Sequence, residues 1–117
     1  MKNKTFIDSI RCALRGIAAA VCSEKNFRYY LVIDLIFLGL DLWWRVDRIT
    51  WLLYILTSLS VYAMECVNTA IERLCDYQTQ ETVPLIGTVK DMAAGAVLVC
   101  GVGFFTVQIF AFVQWLS

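Results

Sequence analysis

The sequence predicts an all-α integral membrane protein, with an N-terminal amphipathic surface helix followed by three transmembrane helices. Three observations carry that prediction. Of 117 residues, 60% are apolar and only 17% charged, well above the apolar share of a globular domain. Residues 92–116, MAAGAVLVCGVGFFTVQIFAFVQWL, carry no charge and exceed the roughly 20 residues a helix needs to cross the hydrocarbon core. Two further apolar runs precede this one, over 29–44 and 49–64.

Taken in chain order, the first element is expected over 4–22. There Phe6, Ile10, Leu14, Ile17 and Val21 recur at helical spacing while Lys4, Arg11 and Arg15 take the other side, the pattern of an interfacial helix or of a short helix packed on protein. The first span, over 29–45, contains Asp34 and Asp41 within YYLVIDLIFLGLDLWW and ends on Trp43 and Trp44, which sit like an aromatic belt. The second, over 49–76, continues its helical pattern from the uncharged ITWLLYILTSLSVYAM through Glu65 to Asp76, so one end of this helix leaves the bilayer. The third runs over 89–116. All belong to a single domain, 1–117.

Positive charge orients the spans. Lys2, Lys4, Arg11, Arg15, Lys25 and Arg28 precede the first span, and Arg73 and Lys90 flank the second loop. The first loop has Arg45 and Arg48, offset by Asp41 and Asp47. The N-terminus is therefore expected inside and the C-terminus outside. The first long apolar run follows a charged, amphipathic stretch, so no cleavable signal is expected.

Composition also excludes. Lys and Arg balance Asp and Glu at ten each, so no basic field argues for nucleic acid. Without a histidine, imidazole ligands and His-based triads are absent. Five scattered cysteines, Cys12, Cys22, Cys66, Cys75 and Cys100, form no C-x-x-C pair and read as reduced thiols. Acid–base work falls to carboxylates.

These gather on the second span. At about 100° per residue, Glu65, Asn68, Glu72 and Asp76 fall within roughly 80° of one another, in a stripe about 16 Å long. Val67, Ala70, Ile71 and Leu74 occupy the opposite face. A solvated helix end explains such a stripe; so does a site where a partly dehydrated Glu65 takes a proton from an alcohol arriving through the membrane. Glu24 and the pair Lys90-Asp91 bracket the stripe on the same side of the membrane. Hard carboxylate oxygens with nucleotide phosphates suit Mg²⁺, so Glu24 and Glu72 are candidates to hold a Mg–ATP complex, with Lys90 meeting phosphate oxygens. Thr88-Val-Lys-Asp91 also reads as a capping box, which leaves Asp91 between a helix cap and a nucleotide contact. There is neither a P-loop nor a kinase glycine loop.

The pattern Glu65-x-x-Asn68-Thr69-Ala70-Ile71-Glu72-x-x-x-Asp76, followed by Lys90-Asp91-Met-Ala-Ala94-Gly95-Ala96-Val97, closely resembles the prokaryotic diacylglycerol kinase family, which includes undecaprenol kinases. The resemblance spans nearly the whole chain. It implies a homotrimer of the bacterial inner membrane with active sites shared between subunits. It also implies Glu65 as general base on the lipid hydroxyl, Glu24 and Glu72 on the metal, Lys90, Asp91 and, more weakly, Glu81 on ATP, and Asn68 and Asp76 in support. Small residues Ala93, Ala94, Gly95, Gly101 and Gly103 permit close helix contacts.

There are departures. The loop Glu81-Thr-Val83-Pro84-Leu85 has Val83 where relatives often carry histidine and is poor in basic residues, which weakens its claim on nucleotide. Asp34 stands where an apolar residue is expected, calling for a polar partner on a neighbouring helix or subunit. Glu24-x-Asn26-Phe27 resembles the undecaprenol kinase branch, whereas Phe27-Arg28 also occurs in diacylglycerol kinases, so the resemblance leans slightly to undecaprenol as acceptor and leaves diacylglycerol open. The alternative from another class is a non-enzymatic membrane oligomer, an ion or proton pathway lined by Glu65, Asp34 and Asp41.

Overall fold

The computed structural model describes residues 5–117, all helical apart from short joints: α1 (Phe6–Ser23), α2 (Lys25–Trp44), α3 (Arg48–Gln78) and α4 (Pro84–Leu116). Lys2 and Lys4, counted in the charge pattern, lie outside the described residues, as does the expected first residue of the surface helix.

Local chemistry sets each boundary. The Asp8 N–H donates to Thr5 Oγ1 at 3.1 Å and the Thr5 N–H to Asp8 Oδ2 at 3.3 Å, a reciprocal capping box that starts α1. Glu24, extended at φ −109° and ψ 117°, is both the C-cap of α1 and the N-cap of α2, so the chain turns on one residue. Arg45 closes α2 in the left-handed region at φ 55°. The Thr50 N–H donates to Asp47 Oδ1 at 2.8 Å, which caps α3. Pro84 opens α4 at the first helical position, where its missing N–H costs nothing. This corrects the capping box expected at Thr88-Val-Lys-Asp91: the helix begins five residues earlier than 89, and the Thr88 hydroxyl donates back to the Pro84 carbonyl at 3.1 Å.

α3 and α4 make the most extensive packing in the chain, antiparallel about a core of Tyr54, Val61, Val97 and Phe104. α2 runs alongside, its Phe37 ring edge-on to Phe104 at 5.7 Å. Both of its aspartates find partners. Asp34 accepts hydroxyl hydrogen bonds from Tyr54, Ser58 and Tyr62 of α3, which answers the demand for a neighbouring polar group. Asp41 is fully buried; with the Gln108 amide turned to donate, its nitrogen lies 2.8 Å from Oδ1 and 3.3 Å from Oδ2.

The single chain is not shaped to stand alone in water. Its radius of gyration is 17.4 Å within extents of 53 × 40 × 19 Å, against about 13 Å for a compact domain of this length. Leu35, Leu59, Leu98 and Val99 are each exposed. α3 and α4 are long and apolar enough to cross a bilayer, whereas Asp34 and Asp41 interrupt α2.

Candidate functional site

The acidic stripe of α3 faces inward. Glu65 is 2% exposed and Asn68 5%, Glu72 is half-buried and Asp76 exposed, while Val67 and Leu74 on the other face are open. This inverts the water-soluble arrangement, in which acids face out, and suits a helix whose back meets lipid or another chain.

Around Glu65 the first turn of α2 closes in. The side-chain amides of Asn26 and Asn68 face its carboxylate, and Glu72 and Glu24 lie within electrostatic reach. Asn68 Nδ2 donates to Glu72 Oε1 at 3.2 Å, while Asn68 Oδ1 is buried with no partner. Tyr30, one turn after Asn26, lines the same cleft of about 520 Å³ with Glu65, Asn68, Glu72 and Ala94. The cleft continues between apolar side chains toward Ile109 of α4, so a carboxylate group stands at the head of an apolar channel.

At the outer end of the stripe, Lys90 Nζ donates to Asp76 Oδ1 at 2.6 Å. Three of the expected residues, Glu65, Asn68 and Glu72, thus share one cleft, Glu24 stands outside its lining within electrostatic reach of Glu65, and Asp76 and Lys90 form a pair beyond them. Asp91 and Glu81 are exposed and stand outside the cleft lining; the Glu81 N–H donates to Thr79 Oγ1 at 3.0 Å. The part played by Asn26 and Tyr30 went unread in the sequence, although their i, i+4 spacing puts both on one face of α2.

The donor set bears on metal. Among the described residues no group of three or more His, Cys, Asp or Glu side chains is placed to hold an ion. Magnesium rarely uses an all-protein cage and is usually bound by one or two carboxylates plus phosphates. Glu24 and Glu72 are carboxylates of the kind that demand calls for, and the unpartnered oxygen of Asn68 is a hard donor on the side chain that bonds Glu72.

The family model for prokaryotic diacylglycerol kinase matches residues 11–112. The undecaprenol kinase of Bacillus subtilis (strain 168) is 33% identical over 97 residues, 83% of this chain and 79% of the relative. The diacylglycerol kinase of Escherichia coli (strain K12) is 36% identical over 85 residues, 73% of this chain and 70% of the relative. That of Haemophilus influenzae is 30% identical over 100 residues, 84% and 85%. On this match the chain belongs to the prokaryotic diacylglycerol kinase family and is a lipid kinase.

Proposed function

We propose that the protein transfers the γ-phosphoryl of ATP to the hydroxyl of undecaprenol or diacylglycerol at the cytoplasmic surface of the bacterial inner membrane, with Glu65 as general base. The observation that carries this reading is the buried Glu65 carboxylate at the head of an apolar cleft, with Glu72 in the same lining and Glu24 within electrostatic reach. The acceptor's chain lies in the cleft and its hydroxyl meets Glu65. The hydroxyl proton passes to a Glu65 carboxylate oxygen as the lipid oxygen bonds to the γ-phosphorus; the bond from that phosphorus to the bridging oxygen breaks, and ADP leaves. Positioning and charge neutralisation supply most of the rate.

Glu24 and Glu72 hold magnesium, which when bound neutralises charge on the nucleotide phosphates. Lys90 and Asp91, with Glu81 as a lesser contact, meet the nucleotide, and Lys90 exchanges Asp76 for phosphate oxygens as ATP arrives. Asn68 and Asp76 hold these groups in place. The motif Glu24-x-Asn26-Phe27 tilts the acceptor toward undecaprenol. α2 crosses the membrane as the first of three spans, α1 lies on the membrane surface, and the N-terminus is cytoplasmic. Three copies assemble with shared sites: the chain's 8660 Å² of accessible surface exceeds the about 6,500 Å² of a compact protein of this mass, which leaves flat faces for lipid and for other copies.

The test offers radiolabelled ATP to the purified oligomer in mixed micelles containing undecaprenol or diacylglycerol, with and without Mg²⁺. Label in one lipid, dependent on the metal, supports the reaction and selects the acceptor. No label in either, from a folded oligomer, sinks it.

A further inference from the structure

Asp34 sits in the middle of α2, at a depth where a carboxylate is costly and calls for a reason. Ser58 Oγ donates to its Oδ2 at 2.9 Å, Tyr62 Oη to the same oxygen at 2.8 Å, and Tyr54 Oη to Oδ1. Tyr54 Oη also reaches the Asp34 backbone carbonyl at 2.8 Å. Three hydroxyls one helical turn apart on α3 thus converge on one acid. Two of them do no more than tie helix to helix.

Tyr62 does something else. Its ring stacks on Phe27, with centroids 6.1 Å apart and planes inclined by 15°. Phe27 is 2% exposed and belongs to the first turn of α2, where its N–H donates to the Glu24 carbonyl at 3.2 Å. Asn26, its neighbour, faces the Glu65 carboxylate. A continuous set of contacts therefore leads from Asp34 through the Tyr62 hydroxyl and ring to Phe27, and from Phe27 to the turn that carries Glu24 and Asn26.

We propose that Asp34 is a positioning residue for phosphoryl transfer: it fixes the Tyr62 ring against Phe27 and so holds the Glu24–Asn26 turn against Glu65. It touches neither substrate nor nucleotide. The inference rests on the reading of Glu65 as the base, and a misplacement of about 1 Å in such a site costs on the order of 10²-fold in rate.

The test measures kcat and both KM values for the whole oligomer in mixed micelles. Asp34→Leu lowers kcat by about 10- to 100-fold, with KM for ATP within about threefold. Asp34→Asn, whose amide oxygen in the Oδ2 position still accepts from Ser58 and Tyr62 while Tyr54 keeps the backbone carbonyl, recovers kcat to within about threefold of the starting protein. Tyr62→Leu leaves Asp34 its other two donors yet lowers kcat as Asp34→Leu does. Asn26→Ala combined with Asp34→Leu is no slower than the slower single variant, because both act at one point. Undiminished kcat in Asp34→Leu or Tyr62→Leu, or additive losses in the pair, would overturn the proposal. Should Asp34→Leu fail to assemble, Tyr62→Leu decides alone. Glu65→Gln in the same series separates the two ideas: full turnover there removes the base assignment and leaves the Asp34 linkage standing, while loss there with undiminished Asp34→Leu does the reverse.

Discussion

Glu65→Gln isolates the proton-transfer role more cleanly than any other substitution. The side chains are nearly isosteric, and Glu65 is 2% exposed, so the replacement occupies the same volume against Asn26 and Asn68. Its carbonyl oxygen still accepts from an amide of either neighbour, but no lone pair remains basic enough to take the acceptor's proton. General-base catalysis contributes about 10²- to 10⁴-fold, which is about 2.7 to 5.4 kcal/mol at 1.36 kcal/mol per decade. The kcat of the variant should fall by that factor. ATP binding should change by less than about threefold, because the nucleotide is assigned to Glu72, Lys90 and Asp91. Single-turnover transfer from radiolabelled ATP gives the first quantity and a fluorescent nucleotide titration the second. A kcat within about tenfold of the starting protein, or a parallel loss of nucleotide binding, refutes the assignment of Glu65 as base.

Three further outcomes follow from the geometry. Glu24→Gln and Glu72→Gln should each raise the Mg²⁺ concentration for half-maximal activity by about tenfold or more, read from metal titrations; an unchanged requirement removes both from the metal site. Gln108→Leu should destabilise the fold by about 1–3 kcal/mol, because it strands the buried Asp41 carboxyl, whereas Asp41→Leu with Gln108→Leu should be close to neutral; detergent-unfolding curves that add across the pair contradict the contact. The Thr50 hydroxyl, with its backbone N–H, holds the Asp47 carboxyl below its ordinary 3.8. The stability this cap lends is complete above that value and lost as pH falls through the depressed one, so an Asp47→Asn variant should show a shallower drop in unfolding temperature below pH 3.8; an identical drop excludes Asp47 as its source.

The helical class was legible because its signals are local: the apolar recurrences are each set by neighbours within four residues. The caps at Thr5–Asp8 and Asp47 are as local but were not read, and α2 begins at Lys25, four residues before the start expected for the first span. The start of α4 was misread because two local signals competed. Thr88 and Asp91 have capping-box spacing, but Pro84 supplies a fixed φ and a short loop that lets the helix begin earlier. Glu65, Asn68 and Glu72 were legible from periodicity. What periodicity cannot supply is the partner across a gap of many residues. The hydroxyls at Tyr54, Ser58 and Tyr62 recur at i, i+4 and i+8, a regular polar face inside an apolar run, yet only the packing of α2 on α3 shows that Asp34 is what they meet. Asn26 at Glu65 was hidden for the same reason.

That polar face also decides against an open ion or proton pathway. At about 100° per residue, Tyr54, Ser58, Tyr62, Glu65, Asn68, Glu72 and Asp76 lie within an arc of about 120°, so α3 carries one stripe from membrane depth to the surface. Its lower half is paired: Tyr54, Ser58 and Tyr62 all donate to Asp34, beside the apolar core of Val61, Val97 and Phe104, and the small pocket there, about 70 Å³, is lined mostly by apolar side chains. A conducting route needs a polar lining along its whole length, and α4 offers little of one, since its stretch 92–116 carries no charge. Only the upper half keeps unspent capacity, in the Asn68 oxygen without a partner and the carboxylates of Glu65 and Glu72 on an open cleft. Capacity concentrated at one level of the membrane fits a site that receives a headgroup from below and a nucleotide from above. If the pathway reading held instead, Asp34→Leu would abolish proton flux in reconstituted vesicles; the uncharged stretch of α4 predicts that there is no such flux to abolish.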